Sequence, residues 1–170
     1  EVKRRYGVTF QHGALFSSLT VRQNIEVPMI EHLGLSPAAR RRLADLRLAL
    51  VGLPLEAGDK YPAQLSGGMV KRAALARALA LDPPLLFLDE PSASLDPAAT
   101  RAVEEIVLTL AQRGTKIVMT THDLAQARRL AGDVVFLHRG SVLEQAPAEA
   151  FFQQPASATA RAFLRGELVW

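Results

Sequence analysis

The 170-residue sequence contains no cysteine and few aromatic residues, which occupy 6% of its positions. The absence of cysteine excludes disulfide bonds and thiolate metal sites. With so few aromatics, the core must be built mostly from leucine, valine, isoleucine and alanine. No uninterrupted apolar run approaches the ~18 residues that a helix needs to cross a bilayer. The length and the 49% hydrophobic fraction are ordinary for one globular domain with a substantial core.

The sequence also lacks a concentrated block of charge. Its formal net charge is +3, and its basic residues are scattered apart from short clusters at 3–5 and 40–42. A solvated helix face explains the second cluster more simply than nucleic-acid binding does. We therefore expect no nucleic-acid partner.

Apolar runs separated by helical patterns predict an α/β fold with a mainly parallel sheet. The runs at 85–88 and 116–120 are typical of strands buried on both faces of such a sheet. The predicted elements are, in order, strand 7–10, strand 85–88, helix 97–110, strand 116–120, helix 123–130 and strand 134–137.

Residues 12–83 are almost wholly helical in pattern and predict a helical subdomain beside the sheet. Capping residues mark three helix starts, at Thr20, Ser36 and Ser66. Pro28 should interrupt or bend the first helix, and residues 60–65 predict a loop. We expect one domain in which residues 1–11 and 84–170 form part of the α/β core and a C-terminal tail, with helices near Phe151 and Phe163.

Two carboxylates, Asp89 and Glu90, follow the strand predicted at 85–88. Ligands of parallel sheets bind at the carboxyl ends of the strands, so both side chains would lie at a binding edge. Asp89 could hold Mg²⁺ through water, and Glu90 could polarise an attacking water. The alternative is a strand that merely ends in a charged turn.

Ser66, Gly67 and Gly68 open the third predicted helix. Glycines at a helix start let backbone N–H groups approach a phosphate, and the helix dipole favours an anion there. An ordinary glycine-containing loop is the alternative. Gln11 and His122 each follow a predicted strand, and by themselves they are equally compatible with local turn roles.

These signals are far more specific in combination than singly. The order of these motifs along the chain resembles that of the ATP-binding cassette family, and the resemblance covers essentially the whole sequence. Met69 stands where glutamine is commonest in that family. The matching positions are the Q-loop glutamine at Gln11, the signature motif at 65–69, the Walker B strand at 85–89, the catalytic glutamate at Glu90, the D-loop at 94–96 and the switch histidine at His122.

The resemblance implies a P-loop NTPase-like fold that hydrolyses ATP with Mg²⁺. Glu90 would activate water, and His122 would contact the γ-phosphate. Asp89 would hold Mg²⁺. Gln11 would sense the Mg²⁺ ion and relay motion to a membrane subunit.

The family also implies partners, because two cassettes pair head to tail and sandwich each ATP between them. Ser66, Gly67 and Gly68 would serve the ATP held mainly by the opposite subunit, and Asp96 would cross the dimer interface. We expect a homodimer that couples ATP hydrolysis to a separate membrane permease at the cytoplasmic face of the bacterial inner membrane.

No Gly-x-x-x-x-Gly-Lys-Ser/Thr sequence occurs in the chain. That loop would cradle the phosphates and supply a lysine and a Mg²⁺-binding hydroxyl. In the family it lies upstream of the position matched by Gln11, together with further strands. We expect the chain to be a fragment of a longer cassette; a degenerate half-site that contributes only a signature helix is the alternative.

The segment at 13–21 favours a transporter subunit, because exposed apolar residues there would receive a coupling helix of the permease. Alternatively, Leu15 and Phe16 pack inside the helical subdomain. Resemblances to lipid-trafficking cassettes and to tungstate or phosphate importers leave the substrate open. A soluble cassette associated with translation or DNA repair is the second functional hypothesis.

The missing phosphate loop leads to a direct prediction for the 170-residue chain. Without the N–H groups and lysine of that loop, the isolated chain should bind Mg-ATP very weakly and show no appreciable turnover. Titration with a fluorescent ATP analogue measures the binding. Micromolar affinity would contradict the prediction.

Overall fold

The computed structural model describes residues 5–167. They fall into two compact units, which follow one another in the chain at Thr120 and Thr121. None of the helices described has both the length and the apolarity that crossing a membrane requires.

A three-stranded parallel sheet organises the first unit. Its strands, β1 (Tyr6–Thr9), β2 (Leu85–Asp89) and β3 (Lys116–Thr120), are arranged in the order β1-β2-β3. The register pairs Thr9 with Leu88 and Asp89 with Thr120. All three strands therefore end at the same edge, and the predicted α/β class with a parallel sheet is confirmed.

Four α-helices connect these strands, and a side-chain oxygen caps the start of each one. They are α1 (Val21–His32) after Thr20, α2 (Pro37–Leu50) after Ser36, α3 (Gly67–Ala78) after Ser66, and α4 (Pro97–Gln112) after Asp96. The three helix starts predicted between the first two strands are confirmed.

Two local predictions in this region need correction. Helix α1 continues through Pro28 to His32, so the interruption expected there does not occur, whereas a bend at Pro28 stays a prediction. Val21, Ile25 and Met29 are fully buried along one face of α1, and this packing keeps the helix in place although Pro28 lacks an N–H. The stretch predicted as loop at 60–65 contains the short 3₁₀ turn Pro62–Gln64, and another such turn, Leu55–Asp59, precedes it.

The core of the first unit is aliphatic, as the scarcity of aromatics predicts. Its buried cluster contains leucine, valine, isoleucine, methionine and alanine from α1 to α4 and from β2. Leu86 and Leu88 of β2 belong to this cluster and are at most 1% exposed.

The opposite face of the sheet is not covered in the same way. Phe87 is 38% exposed and Val118 is 52% exposed, and Tyr6 packs edge-on against Phe87 at 6.2 Å. The prediction that β2 and β3 are buried on both faces is therefore wrong for the described residues. The helices of the buried cluster pack on the Leu86 and Leu88 side, and alternation along the strand turns Phe87 away from them.

Over its described residues, 121–167, the second unit combines a two-stranded sheet with three short helices. Its elements are α5 (Leu124–Leu130), β4 (Asp133–His138), β5 (Ser141–Pro147), α6 (Ala148–Gln153) and α7 (Ala158–Leu164). The helices predicted from 123 to 130 and near Phe151 and Phe163 are confirmed.

Strand β4 was expected to continue the mainly parallel sheet, but it pairs antiparallel with β5, which the sequence analysis did not predict. The hairpin turns at Arg139 and Gly140, whose φ angles are 48° and 75°. Two positive φ angles define a type I′ turn. The first position of this turn is occupied by arginine instead of the usual asparagine. Because the Asn-Gly pattern is absent, the hairpin was not predicted from the sequence.

Aromatic side chains form the core of this unit. The ring centroid of Phe136 on β4 lies 5.9 Å from that of Phe151 and 5.3 Å from that of Phe163. Arg128 of α5 lies 4.8 Å from the centroid of the Phe152 ring. These contacts hold α6 and α7 to the hairpin and α5 to α6.

A carboxylate ties β5 to the start of α7 and makes the stability of this unit pH-dependent. Glu144 accepts backbone hydrogen bonds from Ser157 at 2.9 Å and from Ala156 at 2.8 Å, and these bonds hold its pKa below the usual 4.5. The ionised form therefore stabilises the fold above the unfolded-state pKa, and this stabilisation is lost as pH falls through the folded-state pKa.

We predict that Glu144→Gln lowers the melting temperature near neutral pH, and that the difference from wild type closes on acidification. Thermal unfolding followed by the near-ultraviolet signal between about pH 2 and pH 7 measures both. A melting-temperature difference that stays constant over this range would contradict the assignment.

Candidate catalytic and phosphate-binding sites

The carboxyl edge of the parallel sheet brings together the ends of β2 and β3. The Thr120 hydroxyl donates to Asp89 Oδ1 at 2.6 Å and accepts from the Glu90 N–H at 3.2 Å. One hydroxyl thus fixes a carboxylate and the backbone that follows it. Thr120 was not among the predicted site residues, although its position at the end of the strand predicted at 116–120 was the available signal.

Glu90 has an unusual backbone conformation, with a φ of 42°. A left-handed conformation costs a non-glycine residue about 1–2 kcal/mol, so surrounding contacts must hold it. The Glu90 N–H donates to the Thr120 carbonyl at 3.2 Å. The Glu90 carbonyl accepts from Lys71 Nζ at 3.0 Å and from the Ala93 N–H at 3.1 Å.

The side chains of Gln11 and Glu90 lie in direct contact. Gln11 Nε2 donates to Glu90 Oε2 at 3.0 Å, across 79 positions of sequence. Gln11 lies in the turn after β1, which is closed by a bond of 2.7 Å from the Gly13 N–H to the Phe10 carbonyl. Two residues predicted for the site from separate motifs are therefore paired.

Lys71 of α3 is a residue of this cluster that the sequence analysis missed. Its amine donates to the Gln11 carbonyl and to the Glu90 carbonyl. Burial lowers the pKa of the Lys71 amine, and the charges of Glu90 and Asp89 partly offset that effect. The available signal was helical spacing, because Lys71 lies three and four positions before Ala74 and Leu75, which are both buried.

The residues predicted to contact a phosphate lie at the start of α3. The Ser66 hydroxyl accepts from the Met69 N–H at 3.3 Å and caps the helix. Gly67 is exposed, whereas Gly68 is buried. A Cβ at Gly67 would meet nothing nearer than Leu95 at 3.7 Å, but a Cβ at Gly68 would lie 3.0 Å from the Ala99 Cβ.

Asp96 caps α4, the helix that packs against α3. Its Oδ1 accepts from the Ala98 and Ala99 N–H groups at 2.9 Å each. Ser94, two positions earlier, has a left-handed φ of 64°. Asp96 therefore has a structural role in the first unit, besides the interface role that the resemblance implies.

His122 belongs to the second unit, where its side chain is exposed. The next residue, Asp123, accepts from the Ala125 and Gln126 N–H groups and caps α5. The Thr121 hydroxyl accepts from the Asp123 N–H at 3.0 Å. Participation of His122 in the chemistry stays a prediction.

The segment between Gln11 and α1 is held by two polar side chains. Asn24, which is fully buried, accepts from the Phe16 N–H at 2.7 Å and donates to the Phe16 carbonyl at 3.1 Å. Arg77 donates to the carbonyls of Gly13 and Ala14. Leu15 packs against the core, whereas Phe16 is 52% exposed, and docking of a permease on this segment stays a prediction.

The carboxylates are suited to a hydrated magnesium ion rather than to an all-protein metal cage. Within residues 5–167, no group of three or more histidine or acidic side chains could hold a metal ion. Asp89 is exposed and its Oδ1 is oriented by Thr120. Because Mg²⁺ keeps several waters and commonly uses one or two carboxylates plus substrate phosphates, Asp89 with the amide oxygen of Gln11 fits it chemically.

Comparison with known proteins gives consistent matches. The family described as ABC transporter matches residues 1–93. The histidine/lysine/arginine/ornithine transport ATP-binding protein HisP of Escherichia coli (strain K12) is 40% identical over 167 residues, 98% of this chain and 65% of HisP. The glutamate/aspartate import ATP-binding protein GltL of the same strain is 38% identical over 164 residues, 96% of this chain and 68% of GltL.

A solved structure supports the same fold. It is a dimeric post-hydrolysis state of the ATP-binding cassette MJ0796 bound to ADP and Pi, with a TM-score of 0.79 and 31% identity over 86% of this chain and 65% of that one. The chain thus spans slightly less than two thirds of HisP and of this cassette.

The two glycines at the start of α3 should respond differently to substitution. Gly68→Ala should destabilise the fold by about 1–3 kcal/mol, because the added methyl group forces α3 away from α4. Gly67→Ala, the matched control, should leave stability unchanged or raise it by up to about 1 kcal/mol, because its Cβ enters open space and alanine loses less backbone entropy on folding. Urea denaturation of both variants measures the difference, and equal effects would contradict it.

Proposed function

The chain belongs to the ATP-binding cassette transporter family, and on that basis we propose that it forms the catalytic part of a subunit that hydrolyses ATP to drive a separate membrane permease. The observation that carries the proposal is the Gln11–Glu90 hydrogen bond at the carboxyl edge of the sheet. It joins the residue proposed to respond to the permease with the residue proposed to activate water.

Glu90 is the proposed general base. Gln11 holds the carboxylate through Oε2, and the carboxylate would accept a proton from water. The fixed backbone of Glu90 and this hydrogen bond keep the carboxylate in place and reduce the reorganisation needed for the reaction. General-base catalysis by a positioned carboxylate contributes about 10²–10⁴-fold to a rate.

Asp89 and Gln11 are the proposed magnesium-binding residues. The ion, when bound, would neutralise charge that develops on the phosphate oxygens. The Thr120 hydroxyl orients the Asp89 carboxylate, so the ligand is set in position before the ion arrives. His122 is proposed to contact the γ-phosphate.

A second cassette is the proposed partner across the nucleotide. The start of α3 would present the backbone N–H groups of Gly67 and Gly68, with the Ser66 hydroxyl, to ATP held mainly by that second cassette. Asp96 is proposed to lie at the same interface. The dimeric MJ0796 cassette supports this arrangement by analogy.

The permease is proposed to dock on the segment between Gln11 and α1. Phe16 exposes a large apolar side chain in that segment, and Asn24 and Arg77 fix the backbone around it. Because Asn24 and Arg77 hold the backbone between Gln11 and Phe16, a displacement of Phe16 by the permease would also displace Gln11. We place the assembled subunit at the cytoplasmic face of a bacterial inner membrane.

The isolated 170-residue chain is proposed to be inactive, because no Gly-x-x-x-x-Gly-Lys-Ser/Thr sequence occurs in it.

The transported substrate is proposed from the names of the relatives. HisP and GltL carry the names of amino-acid transport systems. These relatives favour import of a small polar solute over movement of a lipid.

The general-base assignment predicts the effect of one isosteric substitution. Glu90→Gln should lower kcat for ATP in the assembled transporter about 10²-fold or more, because the amide cannot accept the proton of water. Glu105→Gln, on the exposed surface of α4, is the matched control and should retain wild-type kcat. Phosphate release in proteoliposomes gives both rates, and comparable activity of the two variants would refute the role of Glu90.

A further inference from the structure

Lys71 connects three parts of the first unit that are distant in sequence. Its amine donates to the Gln11 carbonyl across 60 positions and to the Glu90 carbonyl across 19 positions. We propose that Lys71 is a positioning residue that couples the start of α3 to the Gln11–Glu90 pair. The proposal rests on the function proposed above.

The coupling begins in the continuity of α3. Ser66 caps this helix and Lys71 follows about 7.5 Å further along its axis, at 1.5 Å per residue. The Val70 N–H donates to the Ser66 carbonyl at 2.9 Å, so the first turn is formed. A displacement of the proposed phosphate-binding start of α3 therefore also displaces the backbone of Lys71.

The Lys71 side chain is partly buried. The side chain lines a cavity of about 10 Å³, together with Thr9, Leu75, Leu88 and Val103 among others. Such a space holds about one water molecule at most. An ammonium group has three donors and no acceptor, and two of its hydrogen bonds go to the carbonyls of the paired segments.

The strained backbone of Glu90 makes it responsive to this contact. Its left-handed conformation is held by Thr120 on one side and by Lys71 and Ala93 on the other. Withdrawal of the Lys71 amine removes a charge-assisted bond from the Glu90 carbonyl and one from the Gln11 carbonyl at once. Gln11 and Glu90 would then each lose a hydrogen bond that holds their backbone in place.

The other basic residues of α3 bind different segments. Arg72 donates to the Gly52 carbonyl at 2.9 Å, and Arg77 donates to the carbonyls of Gly13 and Ala14. In the part of the chain that the structure describes, Lys71 is the basic residue of α3 that contacts both Gln11 and Glu90. Arg72 therefore provides a matched control for loss of a cation from the same helix.

The first test uses nuclear magnetic resonance of the ¹⁵N-labelled 170-residue chain and requires no activity. Lys71→Met should move the Gln11 side-chain amide resonances toward those of a solvent-exposed glutamine. In Lys71→Arg the Gln11 resonances should lie close to their wild-type positions, because arginine keeps the positive charge. Arg72→Met should leave these resonances at their wild-type positions. Lys71→Gln replaces the first variant should it fail to fold. Unchanged Gln11 resonances in the folded variant would overturn the proposal.

The second test separates positioning from general stability in the assembled transporter. Lys71→Met should lower kcat about tenfold or more, because misplacement of Glu90 affects the chemical step. KM for ATP should stay within about twofold of wild type, and Lys71→Arg should recover most of kcat. Wild-type kcat in Lys71→Met would overturn the coupling. Absence of hydrolysis in the wild-type transporter would instead overturn the proposed function, while the resonance test still decides the contact.

Discussion

The parallel alignment of β2 between β1 and β3 is the constraint on which the rest of the first unit depends. Because the strands run the same way, their carboxyl ends meet at one edge. The register places Asp89 beside Thr120, and the turn after β1 brings Gln11 to Glu90. Helices α1 to α4 cover one face of this sheet, and α3 delivers Lys71 to the same edge. The contacts proposed for catalysis therefore follow from strand direction.

Several residues of the proposed site also stabilise the local structure. Ser66 and Asp96 cap α3 and α4, and Gly68 permits these two helices to approach closely. Gly67 has no such packing requirement, because a Cβ there would meet nothing nearer than 3.7 Å. The same short motif thus contains positions fixed by packing and one position that packing leaves open, where a phosphate contact stays a prediction.

Burial and strand pairing depend on the surroundings of an element, and the predictions from local sequence were wrong at these points. Continuous apolar runs predicted strands buried on both faces, yet Phe87 and Val118 lie on an exposed face. The apolar side chains of a strand show that both of its faces could be buried, but they do not specify which neighbouring elements cover each face. Strand β4 was likewise recognised, but its antiparallel partner β5 depends on a two-residue turn at Arg139 and Gly140.

The amino-acid sequence by itself determined the elements and the order of the motifs. Caps, prolines and apolar periodicity act over a few residues, so Thr20, Ser36 and Ser66 marked their helices correctly. The motif order likewise predicted the family. Only the tertiary structure decided the Gln11–Glu90 contact, the strained backbone of Glu90 and the position of Lys71 between them. The physical reason is that these contacts join residues up to 79 positions apart, and local propensity carries no information about such distances until the sheet and α3 are packed together.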